Sequence, residues 1–72
     1  MKNNLRILRA TAKVSQADLA QKISVSRQTI NAIETGKYVP STVLALRLAK
    51  VFNATVEEIF QLEQDDLIVD NS

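Results

Sequence analysis

A chain of 72 residues has room for one small domain, and this one contains neither cysteine nor histidine. Disulfides, thiolate metal sites and catalysis by Cys or His are thereby excluded, and the sequence shows no calcium-loop spacing, membrane-length apolar run or signal peptide. The net charge of +1 hides an asymmetry, because residues 1–50 carry +7 and residues 51–72 carry −6. This distribution predicts a basic body that binds a polyanion and an acidic tail kept away from it; the alternative is charges sorted by chance on a solvated surface.

The first helix is predicted to begin after Asn3 or Asn4, either of which can serve as its N-cap. Leu5, Leu8 and Ala12 are predicted to form an inward-facing stripe at helical spacing. Ile7 falls outside this stripe, so it either covers the edge of the core or contacts a partner.

Two short helices are predicted next, and each has an N-cap residue and a stop. The first runs from about residue 16 to residue 23, with Ser15 as its N-cap. The second runs from about residue 27 to residue 35, with Ser26 as its N-cap and Gly36 as a left-handed stop.

The link between these two helices consists of Ser24 and Val25. Helices joined by so short a link must cross at a large angle, and Val25 is expected to fill the corner between them. This geometry is that of a helix-turn-helix.

The fourth predicted helix begins after Ser41 or Thr42 and runs to about Phe52. Only Arg47 and Lys50 are polar within it, so it should be buried on more than one side. One stripe is predicted to face the core, formed by Ala45, Leu48, Ala49 and Phe52. The remaining apolar side chains are predicted to contact a partner chain: Leu44, Leu46 and Val51.

The fifth predicted helix begins at Val56, because Thr55 and Glu58 have the spacing of a capping box. The pattern changes after Leu62, which divides the chain into a domain over residues 1–62 and an acidic C-terminal tail over residues 63–72. Within the tail, the short apolar run at residues 67–69, which ends at Val69, has three interpretations: it is disordered, adds a small strand against the N-terminus, or packs on a second subunit. The last would place two of its residues in a dimer interface, Leu67 and Ile68.

An ordered set of short motifs carries a family resemblance. The motifs are Ser15–Ala20, Val25–Ile30, Ile33–Lys37, Pro40–Ser41 and Val56–Phe60. Together they resemble the Cro/CI-type (XRE) family of helix-turn-helix DNA-binding proteins, over about residues 4–61. The resemblance implies an all-α, five-helix, lambda-repressor-like domain, and it keeps a short terminal β-strand open because terminal segments contribute strands in some small members.

The helix that begins after Ser26 is the candidate recognition helix, which in this motif lies in the major groove. Residues that face the groove must avoid the buried stripe of Ile30 and Ile33. The predicted base contacts are Arg27, Gln28, Asn31 and Ala32. Arg27 suits guanine, Gln28 or Asn31 suits adenine, and Ala32 suits a thymine methyl. As alternatives, Arg27 contacts phosphate and Asn31 only solvates the helix. The resemblance implies that the family's base-reading positions correspond to Arg27, Gln28 and Ala32.

Phosphate contacts are predicted at the ends of helices, where free N–H groups and a partial positive charge are available. The residues are Gln16, Ser26, Thr29, Lys37, Tyr38 and Ser41. The resemblance assigns Gln16 and the group Lys37, Tyr38 and Ser41 to phosphate-binding positions. As alternatives, Ser26 is wholly occupied as a cap and Tyr38 only covers the core.

The resemblance also implies that Arg9 and Glu34 form a charged pair between the first and third helices. We expect this pair to be partly exposed, in which case it contributes about 1 kcal/mol or less. Glu34 is then structural and not a catalytic acid.

These observations predict a cytoplasmic, sequence-specific regulator of transcription that binds double-stranded DNA as a homodimer and acts as a repressor on a palindromic operator. Its half-sites would lie roughly 34 Å apart. The alternative is an antitoxin or another protein-interaction module on the same fold. We expect no enzyme activity, cofactor, metal or membrane partner.

Overall fold

Within residues 1–68, the part of the chain that the computed structural model describes, five α-helices form the body of the protein. They are α1 (Leu5–Ala12), α2 (Gln16–Lys22), α3 (Arg27–Glu34), α4 (Thr42–Val51) and α5 (Val56–Ile59). Two short strands, β1 (Lys2–Asn3) and β2 (Phe60–Gln61), and a 3₁₀ helix over Gln64–Leu67 complete this part of the chain. Residues 69–72 of the predicted tail, including Val69 of its apolar run, lie outside the described residues.

Hydroxyl N-caps begin α2, α3, α4 and α5, as the sequence predicted. In each case the side-chain oxygen accepts a hydrogen bond from the backbone N–H three residues later, at 3.0–3.2 Å; the caps are Ser15, Ser26, Ser41 and Thr55. Thr55 completes a capping box, because its own N–H donates to the Glu58 carboxylate at 2.9 Å. These bonds satisfy backbone donors that a helix leaves unpaired in its first turn.

The turn between α2 and α3 has the predicted corner geometry. Ser24 adopts a left-handed conformation with φ of +61°, and the Val25 N–H donates to the Ala20 carbonyl oxygen at 2.9 Å, which closes the end of α2. Val25 is half-buried and packs against the core, as predicted.

The core lies where all five helices meet. Its largest buried side chains are Leu5, Leu19, Ile23, Ile30, Ile33, Leu48 and Ile59. Each helix therefore contributes at least one of them, so the small core links the whole body together. Ile7 is exposed, so it does not cover the core, and Ala12 is exposed instead of joining the inward stripe of α1.

The prediction for α4 was wrong at Leu44, which is only 7% exposed and belongs to the core instead of facing a partner. Residues four apart on a helix lie on the same face, so Leu44 shares the face of Leu48. Leu46 is 56% exposed and Val51 is 37% exposed, as a partner-facing position requires.

A terminal strand is present, but it lies earlier than the run that the sequence suggested. β1 and β2 pair in antiparallel register, with Asn3 opposite Phe60. α5 ends at Ile59, and Phe60 is already extended with its side chain buried in the core. Burial of this aromatic side chain fixes the strand at β2, whereas Leu67 lies in the 3₁₀ helix instead of a strand.

The first residues of the predicted tail are attached to the N-terminus. The Met1 amino group contacts the Glu63 carboxylate at 2.9 Å and the Asp66 carboxylate at 3.0 Å. The hydrogen bonds that the amino group donates to these two carboxylates raise its pKa above its ordinary value. We call Met1, Glu63 and Asp66 the terminal clasp. Leu67 and Ile68 follow it and are exposed.

Candidate nucleic-acid interface

Helix α3 has one buried face and one polar, exposed face. Ile30 and Ile33 are almost completely buried, whereas Arg27, Gln28 and Asn31 are exposed. The three polar residues lie at helix positions i, i+1 and i+4, which share one side of a helix. Three of the four predicted base-contact residues are therefore brought together, and the fourth, Ala32, lies half-buried beside them.

A groove of about 350 Å³ runs along this face between α2 and α3. It is lined by Gln16, Arg27, Gln28 and Asn31, all of which carry hydrogen-bonding side chains and none of which is acidic. We call these four residues the groove face. It is suited to polar recognition of an electron-rich ligand, because guanidinium and carboxamide groups supply several N–H donors.

The side chain of Gln16 connects the groove face to the interior. Its Nε2 donates to Asn31 Oδ1 at 3.3 Å and to Glu34 Oε1 at 3.0 Å, and its Oε1 accepts from Arg27 Nε at 3.4 Å. A phosphate contact by the Gln16 amide would have to replace one of these bonds, so that predicted role remains a prediction. This bridging position could not be predicted from sequence patterns, because residues 16 and 31 belong to different helices.

Glu34 anchors this network. Its carboxylate accepts from Arg9 Nε at 2.7 Å and from Arg9 Nη2 at 3.3 Å, and Arg6 Nε lies 3.6 Å away. The implied pair between α1 and α3 is therefore present. The pair is partly exposed on the Arg9 side, where 19% of the side chain is exposed, whereas the Glu34 side chain is 0% exposed. The pair lies where α1, α2 and α3 meet, because Gln16 of α2 also donates a hydrogen bond to the Glu34 carboxylate.

The ionisation of Glu34 reflects two opposing effects. Burial raises the pKa of its carboxyl group, but hydrogen bonds from Arg9 and Gln16 and the positive charge of Arg9 outweigh burial and hold that pKa below its ordinary value. The pKa of Arg9 is raised by the same hydrogen bond. Glu34 is thus a carboxylate at neutral pH and acts on Gln16 only as a hydrogen-bond acceptor.

The hydroxyl groups at the start of α3 are already paired. Ser26 Oγ accepts from the Thr29 N–H at 3.1 Å and lies 3.0 Å from Thr29 Oγ1. This geometry matches the alternative in which Ser26 serves as a cap. Phosphate contacts by Ser26 and Thr29 remain predictions.

The second predicted phosphate region folds back on the end of α3. The N–H groups of Lys37 and Tyr38 both donate to the Ala32 carbonyl oxygen, at 2.9 and 3.2 Å. Gly36 permits this reversal, because its φ of +77° lies in the left-handed region. Lys37 is exposed, and Ser41 Oγ caps α4.

Tyr38 lies at the edge between surface and core. It is 45% exposed, and it borders a shallow hollow of about 430 Å³ together with Ala32 and Leu44. The hollow places Tyr38 beside α3, where Gln28 borders both this hollow and the groove. Its phosphate contact and that of Lys37 remain predictions.

Residues 1–68 contain neither a cluster of metal-binding side chains nor a membrane-spanning helix. No three Asp or Glu side chains there are grouped closely enough to hold a metal ion. No helix in the same residues is long and apolar enough to cross a membrane.

Comparison with known proteins connects this geometry to a family. Residues 5–59 match the model of a helix-turn-helix family. An HTH-type transcriptional regulator of Methanocaldococcus jannaschii is 53% identical over 66 residues, which cover 92% of this chain and 100% of that protein. The HTH-type transcriptional regulator YgzD of Bacillus subtilis is 46% identical over 66 residues, with the same coverage of both chains.

A solved structure gives the same result for the fold. The solution structure of the SOS-response transcriptional repressor LexA from Eubacterium rectale is similar with a TM-score of 0.75 and 28% sequence identity, over 96% of this chain and 71% of that one. The predicted five-helix fold with a short terminal strand is thereby confirmed, as is the resemblance drawn from the sequence motifs. The chain belongs to the XRE-type helix-turn-helix family of transcriptional regulators.

Proposed function

We propose that this protein is a sequence-specific, double-stranded DNA-binding repressor of transcription that acts as a homodimer on a palindromic operator in the cytoplasm. Helix α3 lies in the major groove, and α2 crosses the phosphate backbone. One observation carries this proposal: the groove face collects polar side chains on the exposed side of α3.

The chemistry of the groove face matches that of base edges. Arg27 can donate two hydrogen bonds to guanine, and Gln28 can pair bidentately with adenine. Ala32, beside them, can touch a thymine methyl. Lys37 lies exposed in the loop after α3, where it can contact phosphate.

The homodimer is supported by apolar side chains left exposed outside the groove face. They are Leu46, Val51, Leu67 and Ile68. Leu46 also borders a hollow of about 230 Å³ whose walls include Val39, Pro40 and Val56. Covering such surface with a second copy removes apolar area from water, and two copies can present two α3 helices to half-sites roughly 34 Å apart.

A bound dimer represses by occupying an operator that overlaps a promoter, which requires no further chemistry from the protein. The same exposed apolar side chains support the alternative, an antitoxin or another protein-interaction module. The two functions differ in what covers Leu46: a second copy of this chain or a different protein.

Selection from random duplex DNA, followed by sedimentation equilibrium of the protein alone and with the selected duplex, tests the proposal. We expect a dimer that binds one duplex, with an affinity that falls about 10³-fold between 50 and 200 mM salt if the dimer neutralises about six phosphates. A monomer that enriches no sequence would contradict the proposal and favour the protein-interaction alternative.

A further inference from the structure

The hydrogen bonds around Gln16 have a single direction, set by the buried Glu34. A carboxylate can only accept hydrogen bonds, so the end of the Gln16 amide that faces Glu34 Oε1 at 3.0 Å must be its NH₂ group. The same NH₂ group lies 3.3 Å from the amide of Asn31, which must therefore turn its oxygen towards Gln16. The orientation of the Asn31 amide thus follows from the charge of Glu34, to which it is connected through the amide of Gln16.

The oxygen end of the Gln16 amide is also placed correctly in this orientation. Its Oε1 accepts from Arg27 Nε at 3.4 Å, and a guanidinium can only donate. Every contact of Gln16 is therefore satisfied in one orientation of its amide. Rotating the amide by half a turn would bring oxygen against the Glu34 carboxylate and nitrogen against the Arg27 guanidinium.

The groups that this network leaves free on Arg27 and on the amide nitrogen of Asn31 are donors, whereas Gln28 lies outside the network. Within residues 1–68, the Asn31 Nδ2 group and the two Nη groups of Arg27 have no hydrogen-bond partner. Arg27 and Asn31 lie four residues apart, and both line the groove. An asparagine that reads adenine must present its oxygen and its nitrogen to the base together, but here the oxygen is held towards α2.

We propose that Gln16 is a positioning residue that makes Asn31 a hydrogen-bond donor towards DNA, so that Asn31 and Arg27 read guanine. Guanine is the base whose major-groove edge offers two neighbouring acceptors, O6 and N7. Adenine is rejected at the position of Asn31 because its N6 amino group would meet another donor. This inference rests on the proposed function and adds the base class that the groove face reads.

The first test needs no DNA. In free protein, hydrogen exchange of the side-chain NH₂ signals by NMR should be severalfold slower for Gln16 than for Asn31. Gln21 serves as a reference, because it is an exposed glutamine on the same helix. A Gln16 signal that exchanges as fast as that of Gln21 would show that the network is absent and would overturn the inference.

The second test is selection from random duplex DNA by wild type, N31A, N31D and Q16M. The base position read by Asn31 is the one whose preference disappears with N31A. Wild type should select guanine there, whereas Q16M should accept guanine and adenine equally, because the freed Asn31 amide can turn either way. N31D should lose guanine at this position, since it offers only acceptors; its exposed position leaves the fold intact even if Q16M proves unstable.

The outcomes separate this inference from the proposed function. Adenine at the Asn31 position, or no base preference there, would overturn the inference while leaving sequence-specific DNA binding in place. A broadening confined to this position in Q16M would support the inference, because a general loss of structure would weaken every position alike. Failure to enrich any duplex would contradict the proposed function, and the exchange measurement would then decide the orientation of Asn31 alone.

Discussion

Two groups of charges join distant parts of this chain, and they differ in burial. The pair of Arg9 and Glu34 links α1 to α3 with a carboxylate side chain that is 0% exposed. The terminal clasp links Met1 to carboxylates that remain in contact with water. Burial makes the first group costly to break, because an unpaired charge would be left without solvent, whereas water replaces lost contacts in the second. The protein thus places its rigid ion pair directly behind the groove face.

The largest difference in stability between the two groups of charges is expected when Arg9 is removed. R9M should lower the free energy of unfolding by about 3 kcal/mol, since it leaves the Glu34 carboxylate buried with fewer donors. E63Q, in the terminal clasp, is the matched control and should cause a much smaller loss. Urea denaturation of the two variants measures both effects, and equal losses would show that burial does not distinguish the two groups.

Glu34 and the Met1 amino group should also respond to pH in opposite directions. The folded-state pKa of Glu34 lies below its unfolded value of about 4.3, so its contribution is present above that pH and is lost as the pH falls through the folded-state pKa. The pKa of the Met1 amino group is raised, so its contribution is present below an unfolded value of about 7.7–8.0 and is lost as the pH rises.

Unfolding of wild type and E34Q across the acid range isolates the Glu34 effect. The stability difference between them should be largest near neutral pH and should shrink as the pH falls below 4. D66N is measured alongside, so that the share of Asp66 in the acid dependence can be subtracted, because the pKa of Asp66 is also lowered, by a backbone hydrogen bond from Glu63 and by the Met1 amino group. A difference between wild type and E34Q that stays constant in acid would contradict the assignment.

A smaller loss of stability is expected when Gln16, which donates to Glu34 from the groove face, is replaced. Q16M keeps a side chain of similar length but removes the bonds to Glu34 and Asn31, so it should cost about 1 kcal/mol. Q21M, at an exposed position on the same helix, should leave stability almost unchanged. A loss at Gln16 as large as that in R9M would mean that the amide, and not the ion pair, holds α3 in place.

The smallest effect on stability is expected at the surface of the network. Q28A should change the free energy of unfolding by less than about 0.5 kcal/mol, because Gln28 is exposed. It should nevertheless weaken binding to a selected duplex by about tenfold or more, since one bidentate base contact is lost. Q21A is the control for fluorescence anisotropy titrations. Unchanged affinity in Q28A would remove Gln28 from the base-reading set.

Local features of the fold could be predicted from the sequence because they depend on neighbouring residues. The caps at Ser15, Ser26 and Thr55 and the turn at Val25 follow from short-range chemistry. Helical periodicity also identified most of the core, but it misjudged Leu44, which lies at the margin of its stripe. Periodicity defines the faces of a helix and does not say how wide the covered face is.

Features that depend on contacts between elements were harder to predict. The place of the terminal strand was missed because β-propensity favoured the later apolar run, whereas burial of Phe60 decides the pairing. The burial of Glu34 and the bridging position of Gln16 depend on how α1, α2 and α3 pack. The candidate site could therefore be located from motifs, but the orientation of its amide groups could not.

Chemical-shift mapping of the ¹⁵N-labelled protein with a duplex recovered by selection would compare the groove face with the terminal clasp in a single experiment. The largest changes are expected at the groove face, in Gln16, Arg27, Gln28 and Asn31, with small changes at Met1 and Glu63 in the terminal clasp. Changes concentrated at the clasp or around Leu46, with α3 unaffected, would contradict the assignment of α3 as the helix that reads DNA.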